Sequence, residues 1–265
     1  MKILITSGGT KIPIDMVRSI TNMSKGTFGS RIADSLLAYP ETEIIFMHAR
    51  ESRLPGILEP FRSGFTWGRL FNWLWAKAMF DGDIKDRIQL VPYTTFDEYE
   101  EKLFSTISAV KPDVIILACA ASDYGVDNYV DGKIRSTDDE MTIRLKKLPK
   151  LISRVRERAP NAFIVGFKLL VNSWPEELQN ACLESMKANR LSMIVGNDLA
   201  EIKNDDHTLT IGQWTHDGNI EFNIYRSRQF SNRTHGLSNI IADKCVHAGR
   251  DIVCDRILNK GKIVQ

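Results

Sequence analysis

The chain opens MKILITSGGTKIPIDMVRSITNMSKGTFGSRIADSLL (residues 1–37), a segment that divides into three parts. Lys2 to Thr6 is a short apolar run, Ser7-Gly8-Gly9-Thr10 breaks it, and an apolar-periodic segment begins near Phe28 after Ser24, Gly26 and Gly29. The order is strand, long loop, helix. Such a loop turns backbone N–H groups and the positive end of a helix dipole toward an anion, and Gly26 and Gly29 would let a phosphate approach the main chain. The same G-x-x-G spacing also serves close packing of a helix on a strand, and the residues alone leave both readings open. The spacing is not the G-x-G-x-x-G dinucleotide fingerprint. Between Gly9 and Gly26 lie Asp15, Arg18 and Asn22, for which an ordinary Rossmann turn has no room.

The rest of the chain extends this beginning into a repeating pattern. Glu43–His48 reads as a second strand, Ile88–Val91 as another, and Asp97–Val110 as an amphipathic helix opened by Thr94 or Thr95. VIILACA (114–120) is a continuous apolar run that suits a strand buried on both faces, and Ala120-Ala121-Ser122-Asp123-Tyr124 follows it. Polar residues at that end of a central parallel strand are where open α/β sheets bind ligands. Pro149 starts a helix to about Arg158, and AFIVGF (162–167) is the next buried strand. A helix over Pro175–Ala188 and a strand at Met193–Gly196, ending in Asn197-Asp198, come after it. This rhythm predicts an α/β, Rossmann-like fold with a mostly parallel sheet and helices on both faces. TLTIGQW and IEFNIY around Asp217-Gly218 add a β-hairpin near the C-terminus. Ser238–Arg256 is read as a closing helix interrupted near Gly249, and Lys260–Gln265 as a loose or edge-pairing tail.

Two segments stand outside the rhythm. Residues 50–87 form an aromatic-rich insertion with Phe61, Phe65, Trp67, Phe71, Trp73, Trp75 and Phe80, read either as a lid or subunit contact or as a local mini-core. Residues 125–140 are polar and poor in pattern, so they are expected to be mobile, with a strand only at Met141–Leu145. Lys133 lies within them, as a phosphate-reaching point charge or a solvated surface lysine.

Length and composition narrow the function classes. A chain of 265 residues accommodates one domain over 1–265 with a full core. A net charge of +2 gives no electrostatic argument for nucleic acid or a membrane surface. Cys119, Cys182, Cys245 and Cys254 are far apart and lack C-x-x-C spacing, so reduced thiols and a cytoplasmic location are expected. Neither the cysteines nor the five histidines have ligand spacing, and no protein-bound metal is expected.

Read together, the motifs resemble the phosphopantothenoylcysteine synthetase family, the stand-alone phosphopantothenate–cysteine ligases, over nearly the whole chain. SGGTKIPID (7–15), VRSITNMSKGTFG (17–29), AASDY (120–124), GKIRS (132–136), LPKLI (148–152), IVGFKLL (164–170) and IVGND (194–198) occur in the family's order. The resemblance implies ligation of 4′-phosphopantothenate to L-cysteine in coenzyme A biosynthesis, with CTP or ATP as co-substrate and Mg²⁺ carried by the triphosphate. An acyl nucleotidylate would form with loss of pyrophosphate, and the amine of cysteine would then displace the nucleoside monophosphate. Matched to the family's motifs, Gly8, Ser24, Gly26, Gly29, Phe167 and Asn197 contact the nucleotide. Asn22 contacts the reacting acyl group, and Cys119, Ala120 and Asp123 lie on the pantothenate side. Arg18 reaches the substrate phosphate across a homodimer with shared active sites, and Lys133 closes over the triphosphate.

The chain departs from the family's pattern at three places. Cys119 stands where alanine is usual; no histidine is placed beside it to make a catalytic thiol. The helix before IVGND lacks the lysines that bacterial members use, the nearest being Lys187. The insertion is longer than in short bacterial forms. The last two leave CTP and ATP both open. Rival readings are an NAD(P)-dependent oxidoreductase on the same fold and a non-catalytic nucleotide-binding relative. Against the first, the fingerprint is missing and His48 stands where strand two would end in an acidic residue. Against the second, Asn22, Asp123 and Lys133 are retained.

Overall fold

Successive side chains of a strand point to opposite faces of its sheet, so a run that is apolar at every position demands cover on both sides. The computed structural model, which describes residues 1–56, 58, 84–136, 139–202, 207–230 and 233–261, meets that demand with an eight-stranded sheet. Six strands are parallel: β1 (Lys2–Gly9), β4 (Glu43–Ala49), β5 (Ile88–Tyr93), β6 (Val114–Ala120), β9 (Phe163–Leu170) and β10 (Met193–Asp198). The antiparallel hairpin β11 (Thr208–Trp214) and β12 (Ile220–Arg226) completes the order β12-β11-β10-β9-β6-β1-β4-β5. The chain winds outward from β1 through β4 and β5, then returns to β6 on the other side of β1. The reversal leaves the crevice of the sheet between β1 and β6.

Alternate residues of the buried strands feed two cores. Ile3, Ile5, Phe46, Ile116, Val165 and Val195 pack under α1 (Thr27–Leu37) and the long helix Arg233–Gly261, through Ile32, Leu36, Leu237, Ile241 and Cys245. Leu4, Met47, Ile115, Ile164 and Ile194 pack on the opposite face under α2 (Phe96–Val110), α3 (Ile152–Arg158) and α4 (Pro175–Asn189). With the 29-residue helix as α5, this is the expected α/β arrangement with helices on both faces. Thr95 opens α2, its hydroxyl accepting from Glu98 N–H at 3.2 Å while the Glu98 carboxylate accepts from Thr94 N–H. Among the described residues no helix is long and apolar enough to cross a membrane.

Several boundaries differ from the sequence reading. α5 runs through Gly249 without interruption, because that glycine is a contact point: a Cβ added there would lie 2.0 Å from Met1 Sδ and 3.1 Å from Val114 Cγ2. Lys260 still belongs to α5, and residues 262–265 of the expected tail lie outside the described residues. α3 begins at Ile152 rather than at Pro149. The strand expected at Met141–Leu145 is β8 (Leu145–Lys147), which pairs antiparallel with β7 (Tyr124–Val126) in register Tyr124 to Lys147. Alternation at 141–145 thus marked an exposed approach, and the pairing partner chose the strand. The aromatic residues of the insertion lie outside the described residues.

Candidate functional site

The loop after β1 leaves the sheet at the crevice and returns to it through α1. Two short strands, β2 (Lys11–Pro13) and β3 (Ser19–Thr21), form an arm within this loop. Gly8 and Gly26 both have positive φ, 93° and 69°, which only glycine adopts cheaply. Their Cβ directions are filled from within the protein. An added Cβ on Gly8 would meet Ala49 Cβ at 2.7 Å, on Gly26 Ser7 Oγ at 2.8 Å and Ser52 Cβ at 2.9 Å, and on Gly29 Ser7 Oγ at 2.6 Å. The close-packing role of G-x-x-G is therefore realised. It leaves the start of α1 without a side-chain cap or an acidic first turn, so the electropositive end of the helix stands over the crevice. Ser7, whose hydroxyl donates to Gly26 O at 3.0 Å, is the buried post on which α1 rests.

Three loops meet above this floor. Parallel pairing sets Gly8 beside Cys119 and Gly9 beside Ala120. Thr10, fully buried, accepts from Ser122 N–H at 2.9 Å and donates to Ser122 Oγ at 3.1 Å. Asn22 is exposed, and its Nδ2 donates to Ala120 O at 3.0 Å and Ala121 O at 3.4 Å. Ser24 is half-buried beside it, with its N–H donating to Asn22 O. SGGT, the Asn22 turn and AASDY, far apart in the chain, are thus fastened together. Asp123 is exposed and 3.6 Å from Lys150 Nζ.

Cys119 faces inward. Tyr93 Oη lies 3.0 Å from its Sγ and donates to Ser7 O at 2.7 Å, and Tyr99 Oη donates to Thr6 Oγ1. Burial pushes the Cys119 thiol up to about 12, only partly offset by hydrogen bonds from Tyr93 and Tyr99. A thiol so held stays protonated at neutral pH and is no nucleophile.

Arg18 and the GKIRS segment form a second assembly, built on Asp15. The Asp15 carboxylate has no exposed surface, and it accepts from the N–H groups of Val17, Arg18 and Ile134 at 2.7, 2.6 and 3.1 Å and from Arg18 Nη1 at 3.0 Å. Desolvation would raise its pKa, but these donors outweigh that and hold the carboxyl below its ordinary value. Val130 N–H donates to Ile14 O and Met16 N–H to Gly132 O, so residues 130–136 are stitched to the arm. Arg18 Nη1 also reaches Ile134 O at 3.3 Å. Lys133 sits exposed between the two anchored residues Gly132 and Ile134, with no hydrogen bond or ion pair among the described residues.

Asn197 lies farther along the same sheet edge, next to last in β10, while Phe167 sits within β9, which continues to Leu170 rather than ending at residue 167, and pairs with Val195. Phe28, on the first turn of α1, bridges to them through Phe167 (centroids 6.1 Å, 80°) and His207 (5.2 Å). Asn197 Nδ2 lies 3.2 Å from His207 Nε2, while Asn197 Oδ1 is buried without a partner among the described residues. Burial, then the charge of Arg31, drives the His207 pKa down to about 4, so the imidazole is neutral. Asp198 is an anchor: Ser173 N–H and Oγ, with Ala200 and Asn172 N–H, hold it at about 2. Lys187 is at the wrong end. It lies in the last turn of α4 beside Arg156, Leu191 and Trp214, around a cavity of about 510 Å³ at the start of β10. Four strand residues, Met193 to Gly196, or roughly 13 Å of β10, lie between that end of the strand and Asn197.

Thr10, Ser7, Asp15, Phe28 and His207 escaped the sequence reading as site residues, because their partners come from distant segments. A second cavity, of about 440 Å³, opens on the β4 and β5 side of Asn22, walled by Lys11, Ser24, Lys25, Arg50, Glu51 and Tyr93. The packing at Gly29 is directly testable. Gly29→Ala gains up to about 1 kcal/mol of helix propensity but drives a methyl into Ser7, at a cost of about 1–3 kcal/mol. The expected outcome is a lowered urea unfolding midpoint with an unchanged m-value; a raised midpoint would show that Ser7 simply swings aside.

Comparison with known proteins places the chain in context. It is similar to the coenzyme A biosynthesis bifunctional protein CoaBC of Thermococcus kodakarensis, 27% identical over 210 residues, covering 79% of this chain and 44% of that protein. It is also similar to the phosphopantothenate–cysteine ligase of Homo sapiens, 27% identical over 240 residues, covering 74% of this chain and 72% of that protein. The chain thus spans less than half of the first relative and almost three quarters of the second. Among solved structures, the DNA/pantothenate metabolism flavoprotein from Streptococcus pneumoniae superposes with a TM-score of 0.69 at 25% identity, covering 92% of this chain and 97% of that one. A mutant Cab2 in complex with phosphopantothenate-cysteine superposes with a TM-score of 0.76 at 22% identity, covering 96% and 88%, a likeness of fold. The family described as DNA/pantothenate metabolism flavoprotein C-terminal domain matches residues 1–49 and 80–234, and its gap falls inside the aromatic insertion. With some three quarters of its length matched and with the fold and crevice that go with it, the chain belongs to the DNA/pantothenate metabolism flavoprotein C-terminal domain family.

Proposed function

We propose that this chain ligates 4′-phosphopantothenate to L-cysteine through an acyl nucleotidylate, in the making of coenzyme A, as one domain of that type with residues 50–87 inserted. The observation that carries the reading is the convergence of SGGT, Asn22 and AASDY on the β1–β6 crevice, under the uncapped start of α1. The human relative's name, a phosphopantothenate–cysteine ligase, supports the same chemistry. In the first step a substrate carboxylate oxygen attacks the α-phosphorus of the triphosphate and pyrophosphate leaves. In the second the cysteine amine attacks the acyl carbon, the nucleoside monophosphate leaves with the bonding pair, and the nitrogen sheds its proton. Both steps need charge neutralisation and positioning rather than an enzymic nucleophile, which suits the inert Cys119 thiol.

The roles are those that the resemblance to the ligase family implies. Backbone N–H groups around Gly8, Ser24, Gly26 and Gly29 would hold phosphate oxygens, and Phe167 would flank base or ribose. The orphan Oδ1 of Asn197 is an acceptor suited to an exocyclic amine, which CTP and ATP both carry. Mg²⁺ arrives with the triphosphate. Ala120 and Asp123 would line the pantothenate side with Cys119. The Asn22 amide would turn the weaker of its two bonds, that to Ala121 O, toward the acyl oxygen. The unpaired cysteines suit a cytoplasmic location.

Pyrophosphate release that requires phosphopantothenate and CTP or ATP, with product formation requiring cysteine as well, tests the assignment. Asn22→Ala should lower kcat about 100- to 1,000-fold, as losing one oxyanion-type donor does, with an unchanged circular dichroism spectrum. Near-native turnover in that variant would remove Asn22 from the chemistry.

The arm and the segment stitched to it expose Met16 (70%), Val17 (66%) and Val130 (41%), an apolar surface suited to a second copy. We read the protein as a homodimer with shared sites, Arg18 reaching the partner's substrate phosphate from its Asp15 anchor. Sedimentation equilibrium at micromolar concentration should give twice the chain mass; a monomer that retains full activity would overturn sharing.

Lys133 would close over the triphosphate as a side chain, from its exposed place between the anchored residues Gly132 and Ile134. Lys133→Ala should slow formation of the acyl nucleotidylate far more than attack by cysteine on the preformed intermediate. Rapid-quench measurement of the two steps checks this, and equal slowing of both would rule out a triphosphate clamp.

A further inference from the structure

A ligase of this kind must also seat its amino acid, and none of the residues assigned so far does so. The cavity of about 440 Å³ between the Asn22 turn and the ends of β4 and β5 shares Asn22 and Ser24 with those assignments, while its remaining wall of Lys11, Lys25, Arg50 and Glu51 has no part in them. It lies across Asn22 from the cluster of Phe28, Phe167, Asn197 and His207.

The charges around this cavity are mixed. Lys11 Nζ pairs with Glu51 Oε1 at 2.5 Å, and the Glu51 side chain is 76% exposed. Lys25 and Arg50 also stand on the wall, exposed, and their side chains make no hydrogen bond or ion pair among the described residues. Three cations and one carboxylate around one small cavity do not suit an apolar group. They suit a small zwitterion: a carboxylate between Lys25 and Arg50, and an ammonium that displaces Lys11 from Glu51. The floor under this position is firm, since Arg50 N–H donates to Tyr93 O at 2.9 Å and Arg53 N–H to Lys25 O at 2.9 Å, tying the two walls together.

We infer that this cavity is the binding site of the α-amino acid substrate, with Arg50 and Lys25 holding its carboxylate and Glu51 its amino group beside Asn22. The assignment rests on the ligase reading above and identifies where its second substrate sits. No bond is made or broken at Glu51 or Arg50; they position the amino acid, whose nitrogen attacks only after losing a proton.

The test uses the full chain and separates the two half-reactions. Arg50→Gln and Glu51→Gln each remove one charge-assisted contact at an exposed position, so the fold is not at risk. Each should raise the KM for L-cysteine about 10- to 100-fold. Pyrophosphate release from phosphopantothenate and triphosphate without cysteine should stay within about twofold of the unaltered protein. Cysteamine, which lacks the carboxylate, should be a poor substrate for the unaltered protein, and Arg50→Gln should narrow the gap between cysteamine and L-cysteine. An unchanged KM for cysteine in both variants, or an equal rise in the KM for phosphopantothenate, overturns the assignment while leaving the ligase reading intact. If the unaltered protein releases no pyrophosphate with either triphosphate, the ligase reading itself fails and the assignment with it.

Discussion

The site depends on how closely the backbone at the end of β1 approaches the start of α1. Ser7, Gly8, Gly26 and Gly29 allow that approach, with Ser52 and Ala49 filling the space that side chains would take. Because no Cβ intervenes, the first turn of α1 is drawn down onto Ser7, Gly8 and Ser52 at the end of β1. A wider separation would let water or a side chain cap the helix, and the dipole would be spent before any ligand arrived. The same close contact fixes Phe28 on the first turn of α1, from which it reaches Phe167 on β9 and His207 just before β11. One packing constraint thus sets both the anion cradle and the aromatic wall.

Around that contact the loops are held by carboxylates that are themselves fully engaged. Asp15 gathers three backbone N–H groups and Arg18, joining the arm to the GKIRS segment. Asp198 gathers residues 172, 173 and 200 beneath the end of β10. Both are held below the ordinary carboxylate range, and in both the stabilised form is the anion. Neither is available to a ligand. The groups left open are of another kind: exposed Lys133, exposed Asn22, the orphan Oδ1 of Asn197 and the charged wall at Arg50 and Glu51. Loops built this way keep a precise shape without a hydrophobic core of their own.

Much of the fold was legible before any coordinates, because the physics that forms it is local. The continuous apolar runs at 114–120 and 162–167 suit strands covered on both faces better than helices, and Asp217-Gly218 between two alternating runs marks a hairpin turn. The order of the motifs likewise pointed to the family that the chain belongs to. Where local signals were weak, they misled. The alternation at 141–145 lacked a partner, so the strand formed one step later at Leu145–Lys147, opposite Tyr124–Val126. Gly249 looked like a break because glycine lowers helix propensity, yet Met1 and Val114 needed the space.

Within the site, sequence alone could name residue types and their order: the glycines, Asn22, the AASDY turn and a lysine in a polar segment. Tertiary structure alone decided what each one meets. It turned Gly26 and Gly29 toward Ser7 and Ser52, buried the Cys119 thiol under Tyr93, moved Lys187 to the far edge of the sheet and brought Asn197 to His207. It also set Lys11 and Lys25 together with the adjacent pair Arg50 and Glu51 around one cavity. The division has a physical cause. Periodicity and turn chemistry act over a few residues and are written in the local sequence, whereas hydrogen bonds and burial between distant segments exist only once the sheet has fixed which strand ends lie side by side.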